Sequence, residues 1–366
     1  MEANPLHKGH IALMRHAREE LGADRLIIVL SGDHVQRGEP ALTDRHVRTR
    51  MLLAAGADLV LQLPIPFACG SAEYFARGAV SILEHTGACD LLLFGSESGE
   101  INVLRKLAPS GSFLPFSERP APNDILGAAY LEALEHLRSP LRPVTMRRLG
   151  VAHDSSEASG GYASAGLLRK YLLASDERAY AYMPEENKTL IGEYLRQSRF
   201  LCLDDYSDLL YYALRSEADQ GFADYFDVCE DLSDRFRSRL ERFENASAFV
   251  EACKSKEISA AHIRRSLLHI LLKIRREHVA TLIEECAYCP YLLPLGFRRD
   301  AGDLLHAIRA NADRPILSKA ADAHSLLSDE CFAVFDLEMR ASELRTHIAR
   351  KEGGTLSEYR RSPVIL

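Results

Sequence analysis

The sequence predicts an α/β fold, a doubly wound parallel sheet, followed by an all-helical C-terminal domain. Two observations support this. In the first half, short apolar runs alternate with stretches of helical spacing, which is typical of βαβ units. After about Leu167 the apolar runs give way to amphipathic helical patterns with few glycines or prolines. We therefore expect two domains, over residues 1–174 and 175–366.

Three apolar runs in the first half predict buried strands. They cover residues 25–30, 58–63 and 90–94, and a glycine or proline follows each of them. Between them, residues 44–55 and 71–84 have helical spacing behind Asp or Ser caps. Further helices are predicted over residues 188–198, 203–217, 232–243 and 260–277. We expect the Pro-, Ser- and Gly-rich stretch 107–123 to be a surface connection.

Composition excludes several classes of protein. With 47% hydrophobic and 27% charged residues among 366, the chain is neither disordered nor repetitive. No window reaches the roughly 18 apolar residues of a membrane span and no secretory leader opens the chain, so we expect a cytoplasmic protein. The eight cysteines are scattered and predict reduced thiols. A net charge of -7 argues against indiscriminate binding to polyanions.

Two histidines stand close together near the start of the chain, in NPLHKGH (residues 4–10), just before a stretch of helical spacing. Their spacing can point both imidazoles at one phosphate over the helix N-terminus, where N–H groups and the dipole favour an anion. Gly9 allows close backbone approach, and the imidazoles can stabilise charge developing on an α-phosphate. The alternative interpretation is a turn with two surface histidines.

Polar residues also follow the predicted strands, at the edge of the sheet where ligands bind in open α/β folds. SGDHVQRGEPA (residues 31–41) follows the first strand, and Gly95 and Glu97 follow the third. PNDILG (residues 122–127) and the basic RRLG (residues 147–150) come later. Each motif alone is weak evidence, because a glycine after a strand is usually a turn and a basic pair is usually solvated.

The order of these motifs carries a family resemblance. The matching stretches are NPLHKGH, SGDHVQRGEPA, DLVLQLPIPFACGSAEYFARGAVSIL, LFGSE, PNDILG, AHD, ASAGLLRK, SAAHIRRSLLHILLKI, PYLLPLGF and SPVIL. In this order they resemble the bacterial tRNA(Met) cytidine acetate ligase family, of the His-x-Gly-His nucleotidyltransferase superfamily. The resemblance implies a Rossmann-like domain of nucleotidyltransferase type. It also implies an enzyme that converts acetate and ATP to acetyl-adenylate, releasing pyrophosphate, and then acetylates the exocyclic amine of the wobble cytidine in elongator tRNA(Met).

The resemblance also assigns residues to ATP. The implied ATP-binding stretch comprises Glu2, Ala3, Asn4, Pro5, Leu6, His7, Lys8, Gly9, His10, Ile11, Ala12 and Leu13. Within it, His7 and His10 form the catalytic pair at the phosphates. Gly95 approaches the nucleotide through its backbone and Asn123 hydrogen-bonds it. The family's ATP-contacting arginine falls on Arg148 or Arg147, and the local pattern favours Arg148. Mg²⁺ is expected on the triphosphate, held by phosphate and water, so no protein metal ligands are predicted.

Three features depart from the family pattern. The family begins with an apolar strand, whereas only Met1 precedes Glu2 here, so we expect the first strand to be lacking from the sequence. The connection over residues 101–122 is shorter than the family's, which implies a reduced substrate-facing wall. Gly166 replaces the threonine of the family's Ser-x-Thr-x-Ile-Arg motif, so one phosphate contact is expected to be lost. Ala3 also replaces an aromatic residue.

A basic stretch in the second half predicts a contact with RNA. Residues 254–278 hold seven Lys or Arg against two Glu, a local charge of +5 in a chain of -7. We predict that tRNA is bound by Arg264, Arg265 and Lys273 of this stretch and by Arg37, Arg45 and Arg48 near the sheet edge. The alternative for the basic stretch is a solvated helix with its apolar side in the core, and both can hold together.

Two alternatives to the predicted function remain open at this stage. The chain could adenylate a different small acid, or it could be a degenerate tRNA-binding protein without catalysis. Cys286 and Cys289 form half of a zinc knuckle without a second half, so a pair of core thiols is the favoured interpretation.

Overall fold

Short parallel strands organise the first half of the computed structural model. The structure describes residues 1–107, 120–149, 158, 160–352 and 357–366. The strands are β1 (Ile27–Ser31), β2 (His34–Val35), β3 (Glu39–Pro40), β4 (Leu59–Leu63), β5 (Leu91–Ser96), β6 (Arg142–Arg147), β7 (Pro294–Phe297) and β8 (Val364–Ile365). β1 pairs in parallel with β4 and β5 in parallel with β6. The predicted α/β fold with a parallel sheet is therefore confirmed.

The described strands form three sheets. The largest has the order β1-β4-β7-β8, a second contains β5 and β6, and β2 and β3 form a small antiparallel hairpin. β1 lies at the edge of its sheet. Along its outer side, the Met1 amino group donates to Val29 O at 2.6 Å, and the Met1 carbonyl accepts from Ser31 N at 3.0 Å. Among the residues that the structure describes, no strand pairs with β1 on this side.

The C-terminal half departs from an all-helical domain. β7 pairs antiparallel with β4, and β8 pairs in parallel with β7, so both strands extend the sheet of the first half. The sequence analysis missed them because they are only four and two residues long. The chain after the expected boundary at residue 174 thus returns twice to the sheet of the first half.

Helices make up most of the remaining structure. They are α1 (Lys8–Glu19), α2 (Arg45–Ala54), α3 (Ile65–Ala68), α4 (Ala72–His85), α5 (Ile101–Leu107), α6 (Pro122–Leu137), α7 (Ala165–Leu173), α8 (Glu185–Gln197), α9 (Ser207–Glu217), α10 (Glu230–Arg239), α11 (Ala246–Cys253), α12 (Ala260–Leu272), α13 (Arg276–Glu284), α14 (Gly302–Asn311), α15 (Ala323–Leu326) and α16 (Asp329–Ala349). The single helix predicted over 260–277 is wrong, because Lys273 adopts φ 61° and ends α12. No described helix is long and apolar enough to cross a bilayer.

Three apolar cores lie among the described residues, and two of them position the elements of the first half. The larger core runs from β4, α4 and α6 into the helices of the second half, without a break at residue 174. The second lies beneath the N-terminal loop, where Leu6, Met14, Leu52 and Leu168 pack together. Burial of these side chains fixes the start of α1 against α2 and α7. Most of the 101–122 connection, and the AHD stretch at 152–154, lie outside the described residues.

Gly38 lies at a packing contact between the two halves of the chain. It lies in the turn between β2 and β3 with φ 76°, and a Cβ there would overlap the backbone of Arg264 and Arg265 in α12. The hairpin therefore contacts the helix backbone directly, which only glycine permits.

We expect Gly38→Ala to lower the free energy of unfolding by about 3 kcal/mol, because both the left-handed backbone and the contact with α12 oppose a side chain. Gly22→Ala is the matched control. Gly22 has φ 66° but open space around the added methyl, so only about 1 kcal/mol is expected. Urea unfolding of both variants measures the difference, and equal losses would contradict direct packing of the hairpin on α12.

Candidate active site

His7 and His10 cap the first helix with their own rings. His7 is the N-cap residue of α1, and its Nδ1 accepts the N–H of Gly9 at 3.1 Å. Nδ1 of His10 in turn accepts the N–H of His7 at 3.2 Å, and the two ring centroids are 3.9 Å apart. Because both Nδ1 atoms accept backbone N–H groups, each neutral ring carries its proton on Nε2. The geometry therefore presents two Nε2–H donors beside a helix N-terminus.

The electrostatic surroundings keep His10 neutral. Burial, followed by the proximity of His7 and Arg148, lowers its pKa well below the ordinary value of 6.5. Near pH 7 His10 is thus a neutral hydrogen-bond donor rather than an imidazolium.

Backbone and side-chain hydrogen bonds hold the loop that precedes α1. Oδ1 of Asn4 accepts from Leu42 N at 2.9 Å, and the Asn4 carbonyl accepts from Arg169 Nη1 at 3.0 Å. Oε1 of Glu2 accepts from Gln36 N at 2.8 Å. The loop is therefore fixed to both the hairpin region and α7, which positions the two histidines.

Most other residues of the predicted ATP-binding stretch are buried or partly buried and support the two histidines from below. Ala3, Pro5 and Leu6 are buried beneath it, while Ile11, Ala12 and Leu13 are partly buried in α1. Lys8 is exposed, and its ammonium group donates to Ala181 O at 2.7 Å.

Gly95, Asn123 and Arg148 come together at the end of β5. The side-chain amide of Asn123 donates to Glu97 Oε1 at 2.6 Å, and Arg148 lies 3.4 Å from Asn123 Oδ1. A Cβ on Gly95 would meet the Arg148 side chain at 3.4 Å, so this arginine covers the glycine. Arg148 is also near enough to His10 to contribute to the lowering of its pKa.

Arg147 points elsewhere. It is exposed at the end of β6, and its Cβ packs against the backbone at Gly99. Of the two arginines left open by the resemblance, Arg148 is the one beside Asn123. Sequence reasoning gave no role to Glu97, which holds Asn123 and also accepts from Asp124 N at 2.9 Å. Its position directly after β5 is the signal that could have identified it.

Two arginines predicted to bind tRNA are buried. Arg45 is 3% exposed and donates to Gln62 Oε1 at 2.6 Å and Glu358 Oε2 at 2.8 Å. Arg48 is 0% exposed and donates to the carbonyls of Glu2, Ser31 and Gly32. Guanidinium groups enclosed in this way cannot reach a phosphate in solvent, so the structure contradicts direct tRNA contacts by either residue.

The basic stretch 254–278 is largely paired with acids from other segments. Arg265 makes hydrogen bonds of 3.0 and 3.1 Å to Asp227 Oδ2, and Lys273 pairs with Glu217. Arg264 donates to Glu39 Oε1 at 2.5 Å. The local charge of +5 therefore overstates the free positive charge of this face. Arg37 lies in the β2–β3 turn, close enough to lower the pKa of both Arg148 and Arg169.

A second cleft adjoins the histidine loop and was missed from the sequence. We call it the Glu39 cleft; it has a volume of about 460 Å³ and is lined by Glu39, Gly166, Arg169, Lys170, Leu203 and Arg264 among others. Arg169 links it to the loop through its bond to Asn4 O. A Cβ on Gly166 would have no neighbour closer than 3.8 Å, so the missing hydroxyl leaves open space there.

Cys286 and Cys289 are both buried, and Cys286 Sγ lies 3.0 Å from Cys331 Sγ. Within the described ranges, no group of three or more His, Cys, Asp or Glu side chains is placed to hold a metal ion. Both thiols belong to the larger apolar core.

The chain is similar to known proteins over nearly its whole length. The family model described as HIGH Nucleotidyl Transferase matches residues 1–115 and 112–357. The tRNA(Met) cytidine acetate ligase of Thermoanaerobacter sp. (strain X514) is 30% identical over 382 residues, covering 94% of this chain and 93% of that protein. The protein of the same name from Clostridium perfringens (strain SM101 / Type A) is 31% identical over 366 residues, covering 88% of this chain and 89% of that protein.

Two crystal structures share the fold. Apo Thermotoga maritima TmcAL (form I) matches with a TM-score of 0.92 and 25% identity, covering 100% of this chain and 98% of that chain. The structure of TmcAL bound with alpha-thio ATP (form II) matches with a TM-score of 0.89 at the same identity and coverage. On these matches and the His-x-Gly-His site, the chain belongs to the tRNA(Met) cytidine acetate ligase family of HIGH nucleotidyl transferases.

Proposed function

We propose that this protein activates acetate with ATP and transfers the acetyl group to N4 of the wobble cytidine in elongator tRNA(Met). The observation that carries the proposal is the paired capping of α1 by His7 and His10 beside Arg148. The relatives named tRNA(Met) cytidine acetate ligase, and the neighbour bound with alpha-thio ATP, support it. Because its substrate is tRNA, we expect it to act in the cytoplasm.

In the first step a carboxylate oxygen of acetate attacks the α-phosphorus of ATP, and the bond to pyrophosphate breaks. No protein nucleophile takes part, so positioning and charge stabilisation supply the catalysis. The Nε2–H groups of His7 and His10, the N-terminus of α1 and the guanidinium of Arg148 stabilise charge on the phosphoryl oxygens. Gly95 and Asn123 hold the nucleotide.

Mg²⁺ is expected to accompany the triphosphate. When bound, it would be held by phosphate oxygens and water and would neutralise the charge of the triphosphate.

In the second step the cytidine amine attacks the acetyl carbonyl carbon, AMP leaves, and the amine loses one proton. Residues 1–174 bind ATP in this proposal and residues 175–366 help to hold the tRNA, with β7 and β8 joining the two parts. A wobble base lies in a single-stranded loop, so it can enter a cleft without opening a duplex.

Of Arg264 and Arg265, Arg264 is expected to contribute more to RNA binding. Each arginine pairs with one carboxylate, but Arg264 lines the Glu39 cleft and is 28% exposed, whereas Arg265 is 12% exposed. Arg264→Ala should weaken tRNA binding about tenfold and lower the slope of log K against log salt by about 1. Arg265→Ala is the matched control and should leave the slope nearly unchanged. Titrations at several salt concentrations compare the two variants. A wild-type slope for Arg264→Ala would remove Arg264 from the RNA interface.

Acid-dependent exchange of labelled pyrophosphate into ATP tests the activation step. The wild-type chain should exchange pyrophosphate with acetate and much less with formate, propionate or glycine. Exchange with another acid alone would mean a changed substrate. Absence of exchange with all of them, together with retained tRNA binding, would favour the degenerate tRNA-binding protein.

A further inference from the structure

The Glu39 cleft lies between the ATP site and the helical part of the chain. Its volume of about 460 Å³ is within the usual range of small-ligand sites, roughly 300–1,000 Å³. Glu39 and α7 form one wall, and Leu203 and Arg264 come from the second half. Arg169 lines the cleft and donates to Asn4 O in the histidine loop at 3.0 Å. A ligand in this cleft therefore lies next to the loop that carries His7 and His10.

The backbone around Glu39 fixes the position of its carboxylate. Gly38 packs directly on the α12 backbone at Arg264, which brings the next residue beside that arginine. Arg264 Nη1 then donates to Glu39 Oε1 at 2.5 Å. The Glu39 side chain is 19% exposed, so it is partly desolvated but open to the cleft.

The two oxygens of Glu39 are used differently. Oε1 is held by Arg264, whereas Oε2 lies 4.0 Å from Arg169 Nε, beyond hydrogen-bond distance. Among the residues that the structure describes, none donates a hydrogen bond to Oε2. One oxygen is thus anchored, and the other retains acceptor capacity toward a donor in the cleft.

A pyrimidine amine is the donor that suits this oxygen. Cytosine presents an exocyclic N4–H₂ group where uracil presents the acceptor O4, and a carboxylate accepts from the first and repels the second. The cleft also offers apolar side chains, Leu167 and Leu203, against which a ring can pack. Lys170 and Arg264 supply positive charge for the flanking phosphates.

We propose that the Glu39 cleft binds the target nucleotide of the RNA and that Glu39 Oε2 accepts a hydrogen bond from its exocyclic amine. Glu39 is then the residue that selects cytosine over uracil at the modified position, and Arg264 positions it. This inference rests on the proposed function, because it takes the wobble cytidine as the acceptor.

Anticodon stem-loop RNAs that differ only in C or U at the wobble position test the proposal. Wild-type protein should bind the C form about tenfold more tightly than the U form. Glu39→Gln should bring this ratio to about one, because an amide can accept from cytosine or donate to uracil. Acetate-dependent pyrophosphate exchange by Glu39→Gln should stay within about twofold of wild type. Glu193→Gln, in a surface pair with Arg50 away from the cleft, is the matched control and should keep the wild-type ratio.

Several outcomes would overturn the proposal: no preference for C in the wild-type protein, a tenfold ratio retained in Glu39→Gln, or loss of pyrophosphate exchange in both Glu39→Gln and Glu39→Ala with unchanged unfolding midpoints. The last result would assign Glu39 to the ATP site. Failure of the proposed function gives a different result from failure of the cleft assignment. A wild-type chain without exchange, whose preference for C still depends on Glu39, would refute acetate activation and support the cleft assignment.

Discussion

His10→Ala should lower the rate of acetate-dependent pyrophosphate exchange by about 10²–10³-fold and leave the affinity for tRNA within about twofold of wild type. In the proposed mechanism the neutral His10 ring donates its Nε2–H to the α-phosphate as charge develops there, and removal of one such preorganised donor has an effect of this size. The basic residues assigned to tRNA lie on other elements, so their contacts persist.

His10 also caps the loop, and a second substitution separates the two roles. In His10→Asn the side-chain oxygen takes the place of Nδ1, so it can still accept from His7 N–H, but no donor replaces Nε2. The exchange rate should therefore fall as in His10→Ala, while the thermal unfolding midpoint stays near that of wild type. His16→Ala, farther along α1, is the control and should exchange pyrophosphate normally. Parallel losses of exchange and tRNA affinity in His10→Asn would contradict the assigned role.

Arg48→Met should lower the free energy of unfolding by about 3 kcal/mol, although the residue touches no solvent and no proposed ligand. Its guanidinium donates to the carbonyls of Glu2, Ser31 and Gly32, and methionine leaves these buried acceptors without a donor. Burial lowers the pKa of Arg48 to about 10, so the group is still charged at neutral pH.

Arg50→Met is the matched control on the same helix. Arg50 is 45% exposed in a surface pair with Glu193, so its replacement should change stability by less than about 0.5 kcal/mol. Urea unfolding measures both losses, and tRNA titration at several salt concentrations should give an unchanged slope for Arg48→Met. A stable Arg48→Met protein with a reduced salt slope would restore Arg48 as a tRNA contact.

The elements predicted correctly are those that a local pattern determines. β1 and β4 appear as apolar runs because these parallel strands are buried on both faces, and β5 appears as one although its residues alternate between buried and partly buried. β7 and β8 were missed because they are short, and because β7 pairs with β4 and β8 pairs with β7, partners that are far away in the sequence. The break at Lys273 was missed because an amphipathic pattern continues across it, whereas the backbone adopts φ 61°.

In the candidate site, too, a local pattern predicts some features, whereas others depend on contacts between residues far apart in the sequence. The spacing of His7 and His10 predicts a pair at the start of a helix, and the structure places them there. Charge alone could not show that Arg45 and Arg48 are buried, since the partner of Arg45, Glu358, lies about 300 residues away. Glu39 was overlooked because its proposed role depends on Arg264. The two residues meet only because the turn at Gly38 packs on the backbone of α12.

Nucleoside mass analysis of unmodified elongator tRNA(Met), after incubation with the protein, ATP, Mg²⁺ and labelled acetate, tests the central claim most directly. We expect one labelled N4-acetylcytidine per tRNA, dependent on ATP and absent with His10→Asn. Unlabelled cytidine at the wobble position, under conditions in which the protein binds the tRNA and exchanges pyrophosphate with acetate, would contradict acetyl transfer to this base.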